Sequence, residues 1–123
     1  MVGGEPNERE RSKVKAISVD EGVFELMVSA ISRLSLRTKR FETLGSVVST
    51  ALAEFDHVPP SCIQMLPAAS TFGGSIRVHY RLHERHRPSM ERMKGLLAQS
   101  GRSDCSLRDL IIVCCLLTLS DKA

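Results

Sequence analysis

Apolar residues recur along this chain with two spacings, one typical of strands and one typical of helices. In residues 13–55 they predict a strand followed by two helices. Residues 13–19 read KVKAISV, a short run rich in β-branched side chains that is typical of a strand. At positions 23–34 the apolar residues are three and four apart, which predicts an amphipathic helix with Asp20 as its N-cap. The polar, basic segment LRTKRFET leads into a second helix with an apolar face over positions 44–55.

A long connection separates this part from the next. Pro59 and Pro60 are expected to end the second helix, because proline cannot continue a helix. Residues 56–75 predict an irregular linker, which is long enough to span a distance or cover a surface. Three apolar residues of this linker are expected to pack onto the core: Ile63, Met65 and Leu66.

The pattern of the first part then repeats. Residues 76–82 read IRVHYRL, in which apolar and polar side chains alternate strictly, and this predicts a strand with one buried face. A third helix is expected to begin around Pro88, since proline is tolerated in a first turn. Ser103 or Asp104 is expected to cap the last helix, whose apolar stripe covers positions 107–115.

The two parts are related by an internal repeat. A shift of 63 residues, without a gap, places Val19 on Leu82. Identities are few, but the apolar positions stay in phase through the strand, both helices and both connections. The sequence therefore predicts two strand–helix–helix units, at residues 13–55 and 76–120. Two unrelated amphipathic pieces in register by chance are the alternative, because helical stripes match one another easily.

Length and composition agree with one ordinary domain. The chain has 123 residues, of which 42% are apolar and 25% charged, and an aromatic content of 4% implies an aliphatic core. Residues 13–123 are assigned to this domain, and the polar residues 1–12 are expected to be a disordered tail. No segment is apolar enough to cross a bilayer, so no membrane partner is expected. Collagen-like, disulfide-scaffold and wholly disordered proteins are also excluded.

Charge and cysteine usage bear on the kind of partner and on the cellular compartment. Seventeen Lys and Arg against 14 Asp and Glu give a net charge of +3, which permits a nucleic-acid partner without requiring one. The four cysteines contain no CxxC pair, and Cys114 and Cys115 lie in the apolar run LIIVCCLL, where buried thiols are expected. With no export signal at its start, the protein is predicted to be cytoplasmic.

One strand and two helices cannot enclose a core alone, so the two units are expected to interlock. We expect a mostly helical α+β protein, with an antiparallel two-stranded ribbon and four helices around a shared centre. This arrangement resembles the ribbon-helix-helix DNA-binding family, which is normally built from two identical chains. Here both copies lie in one chain, a monomer acting as a pseudo-dimer. The GRS turn at residues 101–103 matches the family pattern, whereas the first copy has TKR at residues 38–40.

Three segments within residues 13–120 carry a closer resemblance: KAISVDEGVFELM, TKRFETLGSVVSTAL and GRSDCSLRDLI. Through them the chain resembles the C-terminal domain of the second VirC virulence proteins of Agrobacterium Ti and Ri plasmids, a tandem ribbon-helix-helix domain. The resemblance implies a bacterial virulence protein that binds DNA near T-DNA borders or without sequence preference. It also implies a role in promoting T-DNA processing and transfer.

Alternation along the ribbon divides its side chains between the core and the outside. The inward set is expected to be Ile17, Val19, Val78, Tyr80 and Leu82, and the outward set Val14, Ala16, Ser18, Arg77, His79 and Arg81. A two-stranded ribbon fits the major groove of double-stranded DNA, where arginine donates two hydrogen bonds to guanine. The expected DNA contacts on the ribbon are Arg77, His79, Arg81, Ser18, Lys13 and Lys15. Lys15 departs from the pattern, because its phase is inward.

The turns before the second helix of each unit are expected to hold DNA phosphates, because a helix N-terminus exposes unpaired N–H groups. The candidate residues are Thr38, Lys39, Arg40, Arg102 and Ser103. Helix capping and solvated surface charge are the alternatives for these residues. For the three polar residues of the second strand, the alternative is solvation of an exposed sheet face.

No enzyme chemistry is expected. The histidines at 79, 83 and 86 lack the ligand spacing of a zinc site, and no cysteine has a neighbour that would activate it. The pair Gly73-Gly74 predicts a turn rather than a phosphate-binding loop. No catalytic residue, metal or cofactor is therefore assigned.

Two other interpretations compete with DNA binding by a pseudo-dimer. The first is a protein-interaction adaptor with little DNA affinity, which recruits a ParA-like ATPase or a relaxase. The modest net charge and the apolar Val14 and Ala16 on the supposed DNA face favour it. The second is a helical bundle without repeat symmetry, which predicts no antiparallel ribbon.

Overall fold

Helices dominate the α+β architecture of the protein, seen in a computed structural model that describes residues 12–55, 58–66, 74–102 and 105–120. Strand β1 (Ser12–Val19) precedes helices α1 (Glu21–Thr38), α2 (Leu44–Glu54) and the short α3 (Pro60–Gln64). Strand β2 (Ile76–His83) passes through a 3₁₀ turn (Glu84–His86) into α4 (Arg87–Gln99), and α5 (Leu107–Ser120) follows. The α+β class expected from the sequence is confirmed.

The two strands pair with each other although they are far apart in sequence. They run antiparallel, with Ala16 opposite His79 at the middle of the ribbon and Val19 opposite Ile76 at one end. Within the described residues these two strands form a sheet of their own. The predicted antiparallel pairing is therefore confirmed, and a bundle without a ribbon is wrong.

The first helix follows from local signals in the sequence. The Asp20 side chain accepts a hydrogen bond from the Val23 N–H at 2.8 Å, as expected of an N-cap. Met27, Ala30 and Leu34 form its buried stripe. The helix runs to Thr38, three residues into the predicted polar connection, and ends where Lys39 adopts a left-handed conformation with φ 63°.

The core is centred on α5. Every residue of this helix from 109 to 118 is buried, and the helix packs against α1, α2, α3 and α4. Cys114 and Cys115 are among the buried residues, so the expected buried thiols are confirmed. Burial raises the pKa of Cys115 to about 12 and that of Cys114 still further, which keeps both thiols protonated. They act as small apolar side chains in an aliphatic core.

The linker is more ordered than expected where the structure describes it. It contains α3, with Cys62 buried and Leu66 only 7% exposed, so part of it does pack onto the core. Met65 is 65% exposed, and the expectation that it packs inward is wrong, because it lies in the turn that ends α3. Residues 1–11 of the expected tail and Gly73 lie outside the described residues.

No helix in the described part of the chain combines the length and apolar character needed to cross a membrane.

Candidate nucleic-acid interface

The outer face of the ribbon carries the polar side chains of β2. Arg77, His79 and Arg81 are exposed, at alternate positions of the strand. Across the ribbon they lie opposite Ser18, Ala16 and Val14 respectively. Ala16 is exposed, Val14 is 53% exposed and Ser18 is partly buried, so this face presents cations on one strand and small side chains on the other.

The inner face fixes the ribbon to the core. Val19 and Tyr80 are buried, and Ile17, Val78 and Leu82 pack against the core as partly buried residues. Burial, and secondarily the nearby Cys114, raises the pKa of Tyr80 to about 12, so its phenol stays neutral. The division into inner and outer residues therefore follows the alternation of the sequence.

Lys13 and Lys15 alternate along β1 with Val14 and Ala16, which belong to the outer face. Both are exposed, and Lys15 lies opposite the buried Tyr80. The inward phase of Lys15 therefore does not bury its side chain, which is exposed even though Lys15 is next to Ala16 at the middle of the ribbon.

The turn between α1 and α2 holds its own polar side chains together. Thr38 donates a hydrogen bond from Oγ1 to Glu42 at 2.7 Å, and Arg40 donates to the same carboxylate at 3.1 Å. Lys39 donates from Nζ to the Leu36 carbonyl at 3.2 Å. The hydrogen bond from Thr38, followed by that from Arg40, lowers the pKa of Glu42, so the turn contains a firmly ionised carboxylate. Sequence reasoning missed Glu42, which offsets part of the positive charge assigned to this turn.

Helix α2 begins with a reciprocal pair of hydrogen bonds. Thr43 Oγ1 accepts from the Ser46 N–H at 3.1 Å, and Ser46 Oγ accepts from the Thr43 N–H at 3.4 Å. This capping box satisfies two of the N–H groups at the helix start.

Helix α5 begins in the same way, and its cap corrects a prediction. Ser106 Oγ accepts from the Asp109 N–H at 3.3 Å, and the Asp109 carboxylate accepts from the Ser106 N–H at 3.1 Å. The expectation that Ser103 or Asp104 caps this helix is wrong, because the helix starts at Leu107 and Ser106 precedes it. Ser103 and Asp104 themselves lie outside the described residues.

Arg102 lies at the end of the turn that follows α4. It is partly buried, its N–H donates to the Leu97 carbonyl at 2.9 Å, and its carbonyl accepts from the Cys105 thiol at 3.4 Å. Asp109 is buried in the first turn of α5, where its carboxylate also interacts favourably with the positive end of the helix dipole. This turn therefore brings one expected cation and one unexpected anion to the same helix start.

Two exposed apolar side chains beside the first turn were not anticipated. Phe41 is fully exposed and Leu36 is 70% exposed, and with Ser35, Lys39 and Arg40 they line a shallow cavity. Thr38 and Arg40 donate hydrogen bonds to Glu42 within the turn, and the Phe41 side chain points away from the turn into solvent. The sequence signal was an aromatic residue within the polar segment TKRFET.

The histidines near the end of β2 do not converge on one point. The rings of His83 and His86 meet edge to face with centroids 5.6 Å apart, while His79 lies on the outer ribbon face. His86 Nε2 is 3.1 Å from Ser49 Oγ of α2. Among the described residues, no group of three or more His, Cys, Asp or Glu side chains is placed to hold a metal ion.

Comparison with known proteins adds no relative on which to base an assignment. No family model, no curated protein and no solved structure matches the chain. The geometry of the ribbon and its flanking turns is therefore the ground on which function is argued, and the resemblance to the Agrobacterium virulence proteins stays a prediction.

Proposed function

We propose that this protein binds double-stranded DNA through the outer face of its ribbon, as a ribbon-helix-helix pseudo-dimer formed within one chain. The observation that carries the proposal is the agreement between the sequence repeat and the strand register. A shift of 63 residues relates Ala16 to His79, and these two residues lie directly opposite each other at the middle of the ribbon. An approximate two-fold axis through the ribbon centre would produce this coincidence.

The helix starts support the same relation. Leu44 begins α2 and Leu107 begins α5, which are again 63 residues apart. The two capping boxes obey the same shift, which relates Thr43 to Ser106. Glu21 begins α1, and its counterpart Glu84 begins the 3₁₀ turn that leads into α4.

The end of the first helix of each unit departs from the 63-residue shift by one residue, and the connection that follows restores the shift. The left-handed residue that ends the first helix is Lys39 in one unit and Gly101 in the other, which are 62 residues apart. The connection from Gly101 to α5 is correspondingly one residue longer than that from Lys39 to α2. The shift therefore resumes at the second helix.

The chemistry of the outer face suits a duplex. Arg77 and Arg81 are exposed on a two-stranded ribbon, whose width matches the major groove. Lys39 and Arg40 in the turn before α2, and Arg102 in the turn before α5, are proposed to meet the sugar–phosphate backbone, which would fix the orientation of the ribbon. The resemblance supports DNA processing and transfer in a bacterial cytoplasm as the setting, and the proposed role is non-enzymatic.

Replacing the two ribbon arginines tests the proposal. R77A/R81A should weaken duplex binding at least tenfold in a gel-shift titration, because it removes two exposed donors from the groove-facing surface. Its melting temperature should stay close to that of the wild type, since neither side chain is buried. The variant R33A/K94A removes the same charge from exposed positions on α1 and α4, and should bind far better than R77A/R81A. Equal binding by the two double variants would show that the ribbon is not the DNA surface.

Salt dependence gives an independent test. Affinity for duplex DNA should fall with ionic strength, with a log–log slope of about −0.9 for each phosphate neutralised. Titrations at several salt concentrations measure this slope. Binding that does not change with salt would contradict a DNA-binding role.

A protein-interaction adaptor is the second candidate, and exposed apolar residues favour it. Phe41, Leu36 and Val14 are all more than half exposed. As an adaptor, the protein would capture a ParA-like ATPase or a relaxase through these side chains, and R77A/R81A would leave the capture intact. A pull-down with F41S/L36S beside R77A/R81A separates the two candidates.

A further inference from the structure

We propose that the ribbon prefers a non-palindromic duplex, in which guanines face both ribbon arginines. This inference rests on the proposed DNA-binding function and adds the class of site. A ribbon of two identical strands presents the same side chain at positions related by its two-fold axis, so it suits an inverted repeat. In this chain the positions that the 63-residue shift relates differ in chemistry: Val14 with Arg77, Ala16 with His79, and Ser18 with Arg81.

The register decides how the arginines are arranged. Arg81 lies opposite Val14 at one end of the outer face, and Arg77 lies opposite Ser18 at the other. Each end of the ribbon therefore has one arginine, although both belong to β2. The cations are balanced from end to end, but they are not related by the two-fold axis.

The spacing of the arginines sets the spacing of the bases. Four residues of a strand cover about 13 Å, which is close to four base-pair steps of about 3.4 Å. An arginine side chain can donate to O6 and N7 of guanine, and the exposed methyl groups of Val14 suit the methyl group of thymine. The favoured duplex therefore has two guanines about four base pairs apart, with a thymine near the one that faces Arg81.

An inverted repeat cannot meet these requirements. If a guanine faces Arg77, the two-fold symmetry of an inverted repeat places its second guanine against Val14. The Val14 side chain has no hydrogen-bond donor. The acceptors of that guanine would then be covered by an apolar side chain without a hydrogen bond. The same conflict arises between Arg81 and Ser18, whose single hydroxyl offers one donor rather than a bidentate pair.

The exposed strand β1 allows this asymmetry to be removed. V14R/A16H/S18R copies the outer face of β2 onto β1 at the positions that the repeat relates, and leaves the inward Ile17 and Val19 unchanged. Like charges then lie opposite each other across the ribbon, so a modest loss of stability is expected. The single variant V14R keeps the test open if the triple variant does not fold, because Val14 is more than half exposed near the start of β1.

The experiment is selection of duplexes with a randomised core by the full chain, followed by sequencing and measured affinities. The wild type should enrich non-palindromic cores, and V14R/A16H/S18R should enrich inverted repeats. V14R should gain about 5- to 150-fold for a duplex with guanine at the base facing residue 14, which the wild type should not prefer. Inverted repeats enriched by the wild type, or duplex binding without any base preference, would overturn the inference and leave the proposed function standing. Absence of salt-dependent duplex binding in all variants would instead overturn both.

Discussion

The ring of His86, in the second repeat unit, lies within hydrogen-bond distance of a side chain in the first unit, and its protonation would place a charge at a partly buried site. Nε2 lies 3.1 Å from Ser49 Oγ of α2, while Nδ1 is buried and has no hydrogen-bond partner among the described residues. Burial lowers the pKa of His86, and the neighbouring Arg85 and His83 lower it further. The folded protein therefore favours the neutral ring.

Stability should fall as the pH is lowered through about 6.5, the ordinary pKa of histidine. Below that pH the unfolded chain takes up a proton on His86 before the folded chain does, so unfolding becomes easier. Above it both states are neutral and this contribution is constant. Thermal unfolding between about pH 7.5 and 5.5 measures the effect, with H86Q as the non-titrating control. The same loss of stability in H86Q as in the wild type would assign it to other groups.

Gly74 is required by a close approach of two backbone segments. Its φ is +104°, and a Cβ atom would lie 2.5 Å from the backbone of Val19 and Asp20. Gly74→Ala should therefore destabilise the protein by at least about 2 kcal/mol, through left-handed strain and a clash with backbone.

Gly95 provides a matched control for this substitution. It lies within α4, and a Cβ atom there would meet nothing within 4 Å. Gly95→Ala should stabilise the protein by about 0.5–1 kcal/mol, because alanine loses less conformational freedom in a helix. Denaturant unfolding of both variants measures the contrast, and a Gly74→Ala protein as stable as the wild type would disprove the close approach.

Helices and strands were largely predictable because each has a strong local signal. The alternation in IRVHYRL and the spacing of Met27, Ala30 and Leu34 both predicted elements that the structure contains. The start of α5 was missed, because Ser103 and Asp104 are as good N-caps as Ser106 in isolation. The repeat contained the deciding signal, since it relates the Thr43 cap to Ser106.

This cap can be tested directly. Ser106→Ala should cost about 1 kcal/mol of unfolding free energy, because it removes the acceptor of the Asp109 N–H. Ser103→Ala should change stability by less than about 0.5 kcal/mol. Chemical denaturation of the two variants compares them, and a larger cost at Ser103 would show that Ser103, and not Ser106, is the cap.

The candidate site was harder to predict than the elements around it. Alternation identified the outward residues of the ribbon, because a strand has only two faces. Nothing local in TKRFET showed that Glu42 would fold back onto Thr38 and Arg40. Phe41 is exposed against the usual preference of aromatic residues, because the chain direction around it is set by those hydrogen bonds.

The whole molecule is held together by contacts between its two units. β1 pairs with β2, and α5 packs against α1 and α2 as well as α4. Each unit therefore supplies the surface that buries the other, and one cooperative unfolding transition is expected.

The melting temperature should accordingly be independent of protein concentration. An obligate dimer becomes more stable as its concentration rises, whereas a chain that pairs its own strands does not. Calorimetry over roughly a hundredfold range of concentration tests this, beside light scattering for the mass. A melting temperature that rises with concentration would show that a second chain completes the fold.

For the DNA binding proposed above, intrachain pairing of β1 and β2 changes how the occupancy of sites depends on the number of protein copies. Two separate chains must first find each other, so at low abundance the number of occupied sites grows with the square of the copy number. A tethered pair is assembled at any abundance, and occupancy then grows in simple proportion to the copy number. A cell that makes few copies of such a protein would still obtain a graded response from each additional molecule.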